Sequence, residues 1–254
     1  MIKQSLSIIL VLFTLNSQAS ERVTFKAEDG VEVVADLHMA HPKTAPMIVL
    51  FHQAGWSRGE YLEIAPTLNR LGYNCLAVDL RSGNLVNGVR NETNKNARAL
   101  MRETQYVDAY QDIAAAVEYS RAMTSNKLIL WGSSYSSALV IKYAGDNPGK
   151  AQAVLSFSPG EYFRSQGKPG DWIKQSTVNI NCPVFIASAR NEIANWQAIY
   201  DAISASGKMN FTPSETLGNH GSSALWVRQT DHKEYWEAVV AFLKSLEPPR
   251  DTEE

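Results

Sequence analysis

The sequence contains little cysteine, no excess charge of either sign and no internal repeat. Only two cysteines occur among 254 residues, and neither a Cys-x-x-Cys pair nor a His-Glu-x-x-His motif is present. No Gly-x-Gly-x-x-Gly follows the first predicted strand, which argues against a dinucleotide site. The 24 basic and 26 acidic residues nearly balance, so nothing in the composition favours a nucleic acid as partner. We therefore predict no metal, no cofactor and no nucleic acid.

Long hydrophobic runs are also lacking, except for one short stretch at the start of the sequence. Lys3 is followed by an apolar segment from Leu6 to Leu15, and Ser17-Gln18-Ala19 has the small residues of a cleavage site. A membrane-spanning helix needs about 20 apolar residues, which is more than this segment provides. We predict that residues 1–19 are a signal peptide cleaved after Ala19, with a retained membrane anchor as the alternative. The mature protein is then expected to be periplasmic or secreted, without an anchor.

Predicted strands and helices alternate along the mature chain. The predicted strands are residues 21–40 (a hairpin that turns at Asp29-Gly30), 47–51, 75–80, 128–131, 153–157, 183–187 and 212–217. The predicted helices are residues 60–71, 106–123, 135–143, 193–203 and 233–246. Residues 81–103 have little apolar periodicity and are predicted to be a long loop. This alternation is typical of an α/β fold with a mostly parallel sheet covered by helices on both faces.

A strand that leads directly into a helix lies at residues 127–138. There, Gly132-Ser133-Ser134-Tyr135-Ser136 fits the pattern small-x-Ser-x-small, which a very tight strand-to-helix turn requires. Such a turn lifts the Ser134 hydroxyl above the sheet edge and points the backbone N–H groups that follow at whatever the serine attacks. The pattern also fits with Ser136 as the nucleophile. We prefer Ser134, because Gly132 stands where the apolar strand ends.

At this turn the chain resembles the α/β-hydrolase family, whose nucleophile elbow usually reads Gly-x-Ser-x-Gly; here Ser136 replaces the last glycine. The resemblance covers nearly all of the mature chain and is nearest to the small, dienelactone-hydrolase-like serine esterases. It implies a single α/β-hydrolase domain over residues 20–254 without a large cap, and residues 247–254 read as a flexible acidic tail. It also implies that Cys75 and Cys182 lie four strands apart, or about 19 Å at about 4.8 Å per strand, so we expect two free, buried thiols.

A serine hydroxyl needs a base within hydrogen-bond reach and a group that orients the base. In the resembled family the chain order is nucleophile, acid, histidine. Of the five histidines, only His220 follows a predicted strand after the elbow and precedes the last helix. We predict His220 as the base. His52, at the end of the third strand, is expected to organise its loop.

The position of the acid departs from the family pattern. Many relatives read Gly-x-x-Asp after the strand at 183–187, but here the aligned residue is Asn191, which carries no charge. Glu192 follows it and is charged, with one more methylene of reach. Glu161, on the preceding loop, is a second candidate, and a neutral Asn191 or the lack of a triad also remain open. We predict Glu192 as the acid.

Two backbone N–H groups are expected to form an oxyanion hole. One is that of Tyr135, directly after the nucleophile. The other belongs to His52-Gln53-Ala54-Gly55, which stands where the family has His-Gly-x-Gly. Counting along this loop places the donor at Ala54, with Gln53 as the neighbouring alternative.

These residues predict an exported serine hydrolase that cleaves a small carboxylic ester or lactone through an acyl-enzyme. The alternative is a protein of the same fold that binds without turnover, which the imperfect elbow and the uncertain acid allow. An intact Ser134 and His220 in the correct order favour the enzyme. The sequence carries no signal for one acyl group, one alcohol or one oligomeric state, because fold alone says little about substrate.

Overall fold

The computed structural model describes residues 20–247. The predicted signal peptide and residues 248–254 of the predicted tail lie outside them. The strands of the described chain are β1 (Glu21–Lys26), β2 (Glu32–His38), β3 (Met47–Phe51), β4 (Asn74–Val78), β5 (Leu85–Val86), β6 (Val89–Arg90), β7 (Leu128–Ser133), β8 (Ala153–Phe157), β9 (Val184–Ala187) and β10 (Met209–Phe211). The α-helices are α1 (Ile64–Arg70), α2 (Glu92–Ala99), α3 (Tyr110–Met123), α4 (Tyr135–Asp146), α5 (Trp172–Ser176), α6 (Ile193–Ala202) and α7 (His232–Ser245).

Eight strands form one sheet in the order β1-β2-β4-β3-β7-β8-β9-β10. β1 and β2 form the predicted antiparallel hairpin, whose turn places Gly30 at φ 85°. β2 pairs antiparallel with β4, and all further pairs in this sheet are parallel. The predicted mostly parallel sheet is therefore confirmed.

Helices cover both faces of the sheet and enclose two hydrophobic cores. Successive side chains of a strand point to opposite faces, so the fully buried β3 contributes to both cores. Ile48 and Leu50 pack on the face that α1 and α7 cover, whereas Val49 and Phe51 pack on the face that α2 to α6 cover. This arrangement buries the central strands on both sides and leaves their carboxyl ends as the edge where the connecting loops gather.

The prediction of a long loop at residues 81–103 is wrong, because this segment contains the β5–β6 hairpin and the helix α2. Asn91 caps α2, since its side-chain oxygen accepts a hydrogen bond from the Asn94 N–H at 2.8 Å. Thr93 and Ala97 are the buried residues of α2, and the Thr93 hydroxyl accepts from the Val34 N–H at 2.9 Å. Two small residues fix this helix to the sheet, so it lacks the apolar stripe from which helices are predicted.

The predicted last strand at residues 212–217 is also wrong. β10 ends at Phe211 and pairs parallel with β9 through Met209, Asn210 and Phe211. Pro213 follows, and proline has no N–H to donate to a strand ladder. The residues beyond it form a loop that carries His220 to the carboxyl edge of the sheet.

Cys75 and Cys182 are both buried and free, as predicted. Cys75 lies on β4 and Cys182 lies two residues before β9, and these two strands are four places apart in the sheet. Burial raises the pKa of both thiols, so neither is a ready nucleophile. Within residues 20–247, no helix combines the length and the apolar character that crossing a membrane requires.

Candidate active site

The turn between β7 and α4 holds Ser134 in a strained backbone conformation. Its φ is 57° and its ψ is −123°, a region that residues with a side chain rarely adopt. The Ser134 N–H donates to Phe157 O at 2.7 Å, which anchors the turn to the end of β8. Only glycine fits at position 132, because a Cβ atom there would lie 2.4 Å from the Cα atom of Ser137. The tight strand-to-helix turn expected from the sequence is therefore present.

Ser136 stands where the usual pattern has glycine, and its hydroxyl is fully engaged inside the protein. It donates to Phe51 O at 2.8 Å and accepts from the Ser133 N–H at 2.9 Å. Ser136 is completely buried, whereas Ser134 is partly exposed. A hydroxyl that cannot meet a substrate cannot attack one, so the structure favours Ser134 over Ser136 as the nucleophile.

The loop after β10 brings His220 to the loop after β9, where Glu192 lies. Nδ1 of His220 hydrogen bonds to Oε1 of Glu192. The His220 side chain is 42% exposed and that of Glu192 is 16% exposed, so the pair lies at the surface of the carboxyl edge with the acid beneath the base. Since Nδ1 is engaged, Nε2 is the ring nitrogen that remains for proton transfer.

The second oxygen of Glu192 is held by groups from two loops. Oε2 accepts from the Ser158 hydroxyl at 2.7 Å and from the Ala189 N–H at 3.2 Å. Burial raises the pKa of Glu192, but the hydrogen bonds from His220 and Ser158 outweigh it and bring the pKa below its usual value. Glu192 is therefore ionised at neutral pH, as a carboxylate that stabilises an imidazolium must be.

Within residues 20–247, neither of the two other candidates for the acid is hydrogen-bonded to His220. The carboxylate of Glu161 accepts from the backbone N–H groups of Ile173 and Lys174, both at 2.9 Å, and so caps the first turn of α5. The side chain of Asn191 is exposed. Of the acids weighed from the sequence, the structure brings only Glu192 to His220.

Ser134 and His220 lie on loops that touch each other. The Ser222 N–H, two residues after His220, donates to the hydroxyl of Ser133 at 2.9 Å. A Cβ atom at Gly221 would lie 2.6 Å from that same hydroxyl oxygen. The hydrogen bonds found within residues 20–247 do not include one between Ser134 Oγ and His220. Catalytic hydrogen bonds are often long until the substrate is bound.

In the loop after β3, the Ala54 N–H is not among the groups that donate a hydrogen bond within residues 20–247. In a trans peptide the N–H group is opposite the carbonyl of the preceding residue, and Gln53 O accepts a hydrogen bond from Nδ1 of the buried His52 at 2.7 Å. The Gln53 N–H instead donates to a carboxylate oxygen of Glu60 at 2.8 Å, which removes Gln53 from consideration as the oxyanion donor. Ala54 therefore remains as the donor from this loop.

Tyr135 can supply the second oxyanion donor. It is the first residue of α4, and the N–H groups of the first helical turn have no partner within the helix. The positive end of the α4 dipole adds to the attraction for a negative oxygen at this point. Ala54 and Tyr135 thus present two backbone N–H groups from the loops that flank Ser134.

His52 does not act as a base in this arrangement. It is completely buried, and its Nε2 accepts from the Leu80 N–H at 2.8 Å while Nδ1 donates to Gln53 O. Burial lowers the pKa of His52 to about 4, so the ring stays neutral at physiological pH. Its two hydrogen bonds fix the oxyanion loop to the end of β4, which is the organising role expected from the sequence.

Tyr162 lies beside the nucleophile on the loop after β8. Its hydroxyl donates to Ser158 O at 2.7 Å. Burial raises the pKa of Tyr162, the charge of Glu192 raises it further, and the nearby Ser134 hydroxyl acts in the opposite direction. The phenol therefore keeps its proton at neutral pH. Ser158, the residue after β8, has a φ of 57°, and nothing in the sequence alone indicated that it lies at the site.

No group of three or more His, Cys, Asp or Glu side chains that could hold a metal ion is found in residues 20–247. The arrangement fits an acyl-transfer site, in which a serine attacks a carbonyl carbon and a histidine moves the proton. It consists of the Ala54 and Tyr135 N–H groups, the partly exposed Ser134 and the His220–Glu192 pair. Their chain order, Ser134, Glu192, His220, is that of α/β-hydrolases.

Comparison with known families identifies the fold and the class of enzyme. A family model described as "Serine aminopeptidase, S33" matches residues 42–184, which is more than half of the chain. The chain belongs to this family and is a hydrolase with the α/β-hydrolase fold. No curated protein sequence matches the chain.

Solved structures of the same fold include three of similar size to this chain. The esterase Pf2001 of Pyrococcus furiosus has a TM-score of 0.70 at 18% identity, over 93% of this chain and 97% of that chain. A dienelactone hydrolase from Anabaena variabilis has a TM-score of 0.68 at 13% identity, over 91% and 99% respectively. Est1E from Butyrivibrio proteoclasticus has a TM-score of 0.66 at 13% identity, over 90% and 99% respectively. At these identities the likeness concerns the fold, and the predicted α/β-hydrolase fold is confirmed.

Proposed function

We propose that this member of the serine aminopeptidase S33 family is an exported esterase that hydrolyses small carboxylic esters or lactones with Ser134, His220 and Glu192. The observation that carries the proposal is the hydrogen bond between His220 Nδ1 and the ionised Glu192, next to a turn that holds Ser134 in a strained conformation. Strain at a single partly exposed serine is costly and is found mainly where it serves a reaction.

The chemistry follows from these positions. Nε2 of His220 takes the proton of the Ser134 hydroxyl as the oxygen attacks the carbonyl carbon of the ester, and Glu192 stabilises the imidazolium that forms. The N–H groups of Tyr135 and Ala54 donate to the carbonyl oxygen as it becomes negative, and each such donor contributes roughly 3 kcal/mol in comparable sites. His220 then passes the proton to the departing alcohol oxygen, which leaves an acyl group on Ser134.

A water molecule completes the cycle. His220 removes a proton from the water, whose oxygen attacks the acyl carbon, and the same two N–H groups stabilise the second tetrahedral intermediate. The proton returns to Ser134 Oγ as the acid product leaves. The exposed His220 gives water access to this step.

Export rests on the sequence of residues 1–19, which lie outside the described residues. We propose that this segment is removed and that the remaining chain acts in the periplasm or outside the cell. Sequencing of the N-terminus of the protein from a periplasmic or culture-medium fraction tests this: Ser20 as the first residue supports it, and a chain that begins at Met1 in the cytoplasm contradicts it.

Fluorophosphonate labelling of residues 20–254, with the adduct located by peptide mass mapping, tests the catalytic proposal. We expect a rapid adduct on Ser134 that is lost in Ser134→Ala and strongly slowed in His220→Ala, together with hydrolysis of p-nitrophenyl acetate or butyrate. If no adduct forms at any of the pH values tested near neutral, the proposal is overturned and a protein that binds without turnover is favoured.

A further inference from the structure

A buried carboxyl group lies behind the candidate site and joins the loops that form it. Glu60 is completely buried, in a single 3₁₀ turn between β3 and α1. Its Oε2 accepts from the Gln53 N–H at 2.8 Å, and its Oε1 accepts from the Ser133 hydroxyl at 2.7 Å. The Ser133 oxygen in turn accepts from the Ser222 N–H at 2.9 Å. One carboxyl group thus reaches three separate loops.

Each of these partners is adjacent, or nearly so, to a residue of the proposed machinery. Gln53 precedes the oxyanion donor Ala54, and Ser133 precedes the nucleophile Ser134. Ser222 lies two residues after His220 on the same turn. Each reacting group therefore lies only one or two residues from one of these three hydrogen bonds. A shift in any of the bonds displaces the reacting group next to it.

The histidine loop is packed against the other two loops at this same place. Gly221 has a φ of 68°, and a Cβ atom there would lie 2.6 Å from Ser133 Oγ and 3.2 Å from Gln53 Oε1. Because a side chain at this position would push the loops apart, glycine permits the close approach that the Ser222–Ser133 hydrogen bond needs.

No ion pair explains why Glu60 is buried. Within residues 20–247, no arginine, lysine or histidine forms a salt bridge with its carboxylate. A buried carboxyl group without a cation costs folding free energy, and an apolar side chain of similar size would avoid that cost. In return, the carboxyl group provides direct hydrogen bonds to two loops and, through the Ser133 hydroxyl, a connection to the third.

We propose that Glu60 is a positioning residue for the reaction, which holds the oxyanion loop, the nucleophile turn and the histidine loop in one fixed arrangement. The inference rests on the proposed function, since it concerns the same site. Glu60 does not touch the reacting atoms; it acts through Gln53, Ser133 and Ser222. Misplacing reacting groups by about 1 Å can lower a rate by about 100-fold, so loss of this carboxylate is expected to affect turnover more than substrate binding.

Glu60→Gln tests the inference, with Glu63→Gln as the matched control. Gln keeps the size of the side chain, but its NH₂ group cannot accept a hydrogen bond, so it cannot accept from both Gln53 and Ser133. The side chain of the exposed Glu63 makes one hydrogen bond, with the Val227 N–H at 3.0 Å. For Glu60→Gln we expect kcat for p-nitrophenyl butyrate to fall by about 10- to 100-fold with little change in KM, and fluorophosphonate labelling of Ser134 to slow similarly. Glu63→Gln is expected to match the wild type.

If Glu60→Gln folds and keeps the wild-type kcat and labelling rate, the inference is overturned. The proposed function is then unaffected, provided that the wild type is labelled at Ser134. If the wild type itself is not labelled, the proposed function and the inference both fail. Should Glu60→Gln not fold, Ser133→Ala replaces it, because it removes the hydroxyl that connects Glu60 to Ser222. A drop in kcat without a rise in KM is again the supporting result, and wild-type turnover again overturns the inference.

Discussion

The hydrogen bond between His220 Nδ1 and Glu192 Oε1 joins the loop after β10 to the loop after β9. It engages Nδ1 and leaves Nε2 for the base of the proposed reaction, and it places a carboxylate of lowered pKa beside the ring. Of the three candidates that the sequence offered for the acid, Glu192 is the one that is hydrogen-bonded to His220.

Replacing Glu192 by Gln is expected to lower kcat by about 10³- to 10⁴-fold. The amide keeps the size of the side chain but removes the charge, and its NH₂ group can favour the wrong tautomer of His220. Hydrolysis of p-nitrophenyl butyrate measures the loss. Glu161→Gln is the matched control, and it should keep wild-type kcat because Glu161 contacts only backbone N–H groups of α5. The assignment fails if Glu161→Gln loses more activity than Glu192→Gln.

Ser134 and Ser136 can be separated by substitution to alanine. Ser134→Ala should abolish both hydrolysis and fluorophosphonate labelling. Ser136→Ala should keep the label on Ser134, with a loss in unfolding free energy of about 1–3 kcal/mol, because it removes one buried hydroxyl with three hydrogen bonds. Mass mapping of the adduct and thermal unfolding provide the measurements. An adduct on Ser136 in the wild type would show that the turn is displaced by two residues.

A feature of this site could be predicted from the sequence when the residues that form it lie close together in the chain. The elbow was predictable because Gly132, Ser134 and the flanking strand and helix lie within a dozen residues. His220 followed from chain order. Local patterns also placed most strands, whereas α2 was missed because what fixes it is its contact with β2 through Thr93, not its own apolar residues.

The contacts that sequence analysis missed join residues far apart in the chain. Ser158 meets Glu192 across 34 positions, and Ser133 meets Glu60 across 73. The signals available were weak: Ser158 lies between a buried strand and a proline, and Glu60 begins a predicted helix, where an acid is ordinary. The strand placed at residues 212–217 shows the same limit, since β10 is defined by its pairing with β9.

Ser158→Ala should weaken the site through Glu192. The hydroxyl donates to Glu192 Oε2 and accepts from the Gly221 N–H at 2.9 Å, so its loss frees both the acid and the histidine loop. We expect a loss in unfolding free energy of about 1–3 kcal/mol and a fall in kcat of about 10-fold. Ser176→Ala is the control, because the buried Ser176 hydroxyl bonds to Ile173 O within α5, and only stability should change. Equal kcat values for Ser158→Ala and Ser176→Ala would contradict the role of Ser158.

Glu60 should make the stability of the protein depend on pH in a direction that can be checked. Burial raises the pKa of Glu60 to about 7 from its ordinary value of 4.5. Between these two values the folded chain keeps a proton that the unfolded chain has lost, so this group's contribution to stability falls as pH rises from about 4.5 to 7 and is constant above that. Gln does not titrate, and the stability of Glu60→Gln relative to the wild type should therefore increase over this interval.

Thermal unfolding of both proteins at a series of pH values measures the difference, and Glu63→Gln should show no such trend. A difference in Tm between Glu60→Gln and wild type that is independent of pH would mean that Glu60 is ionised throughout, held by its hydrogen bonds from Ser133 and Gln53.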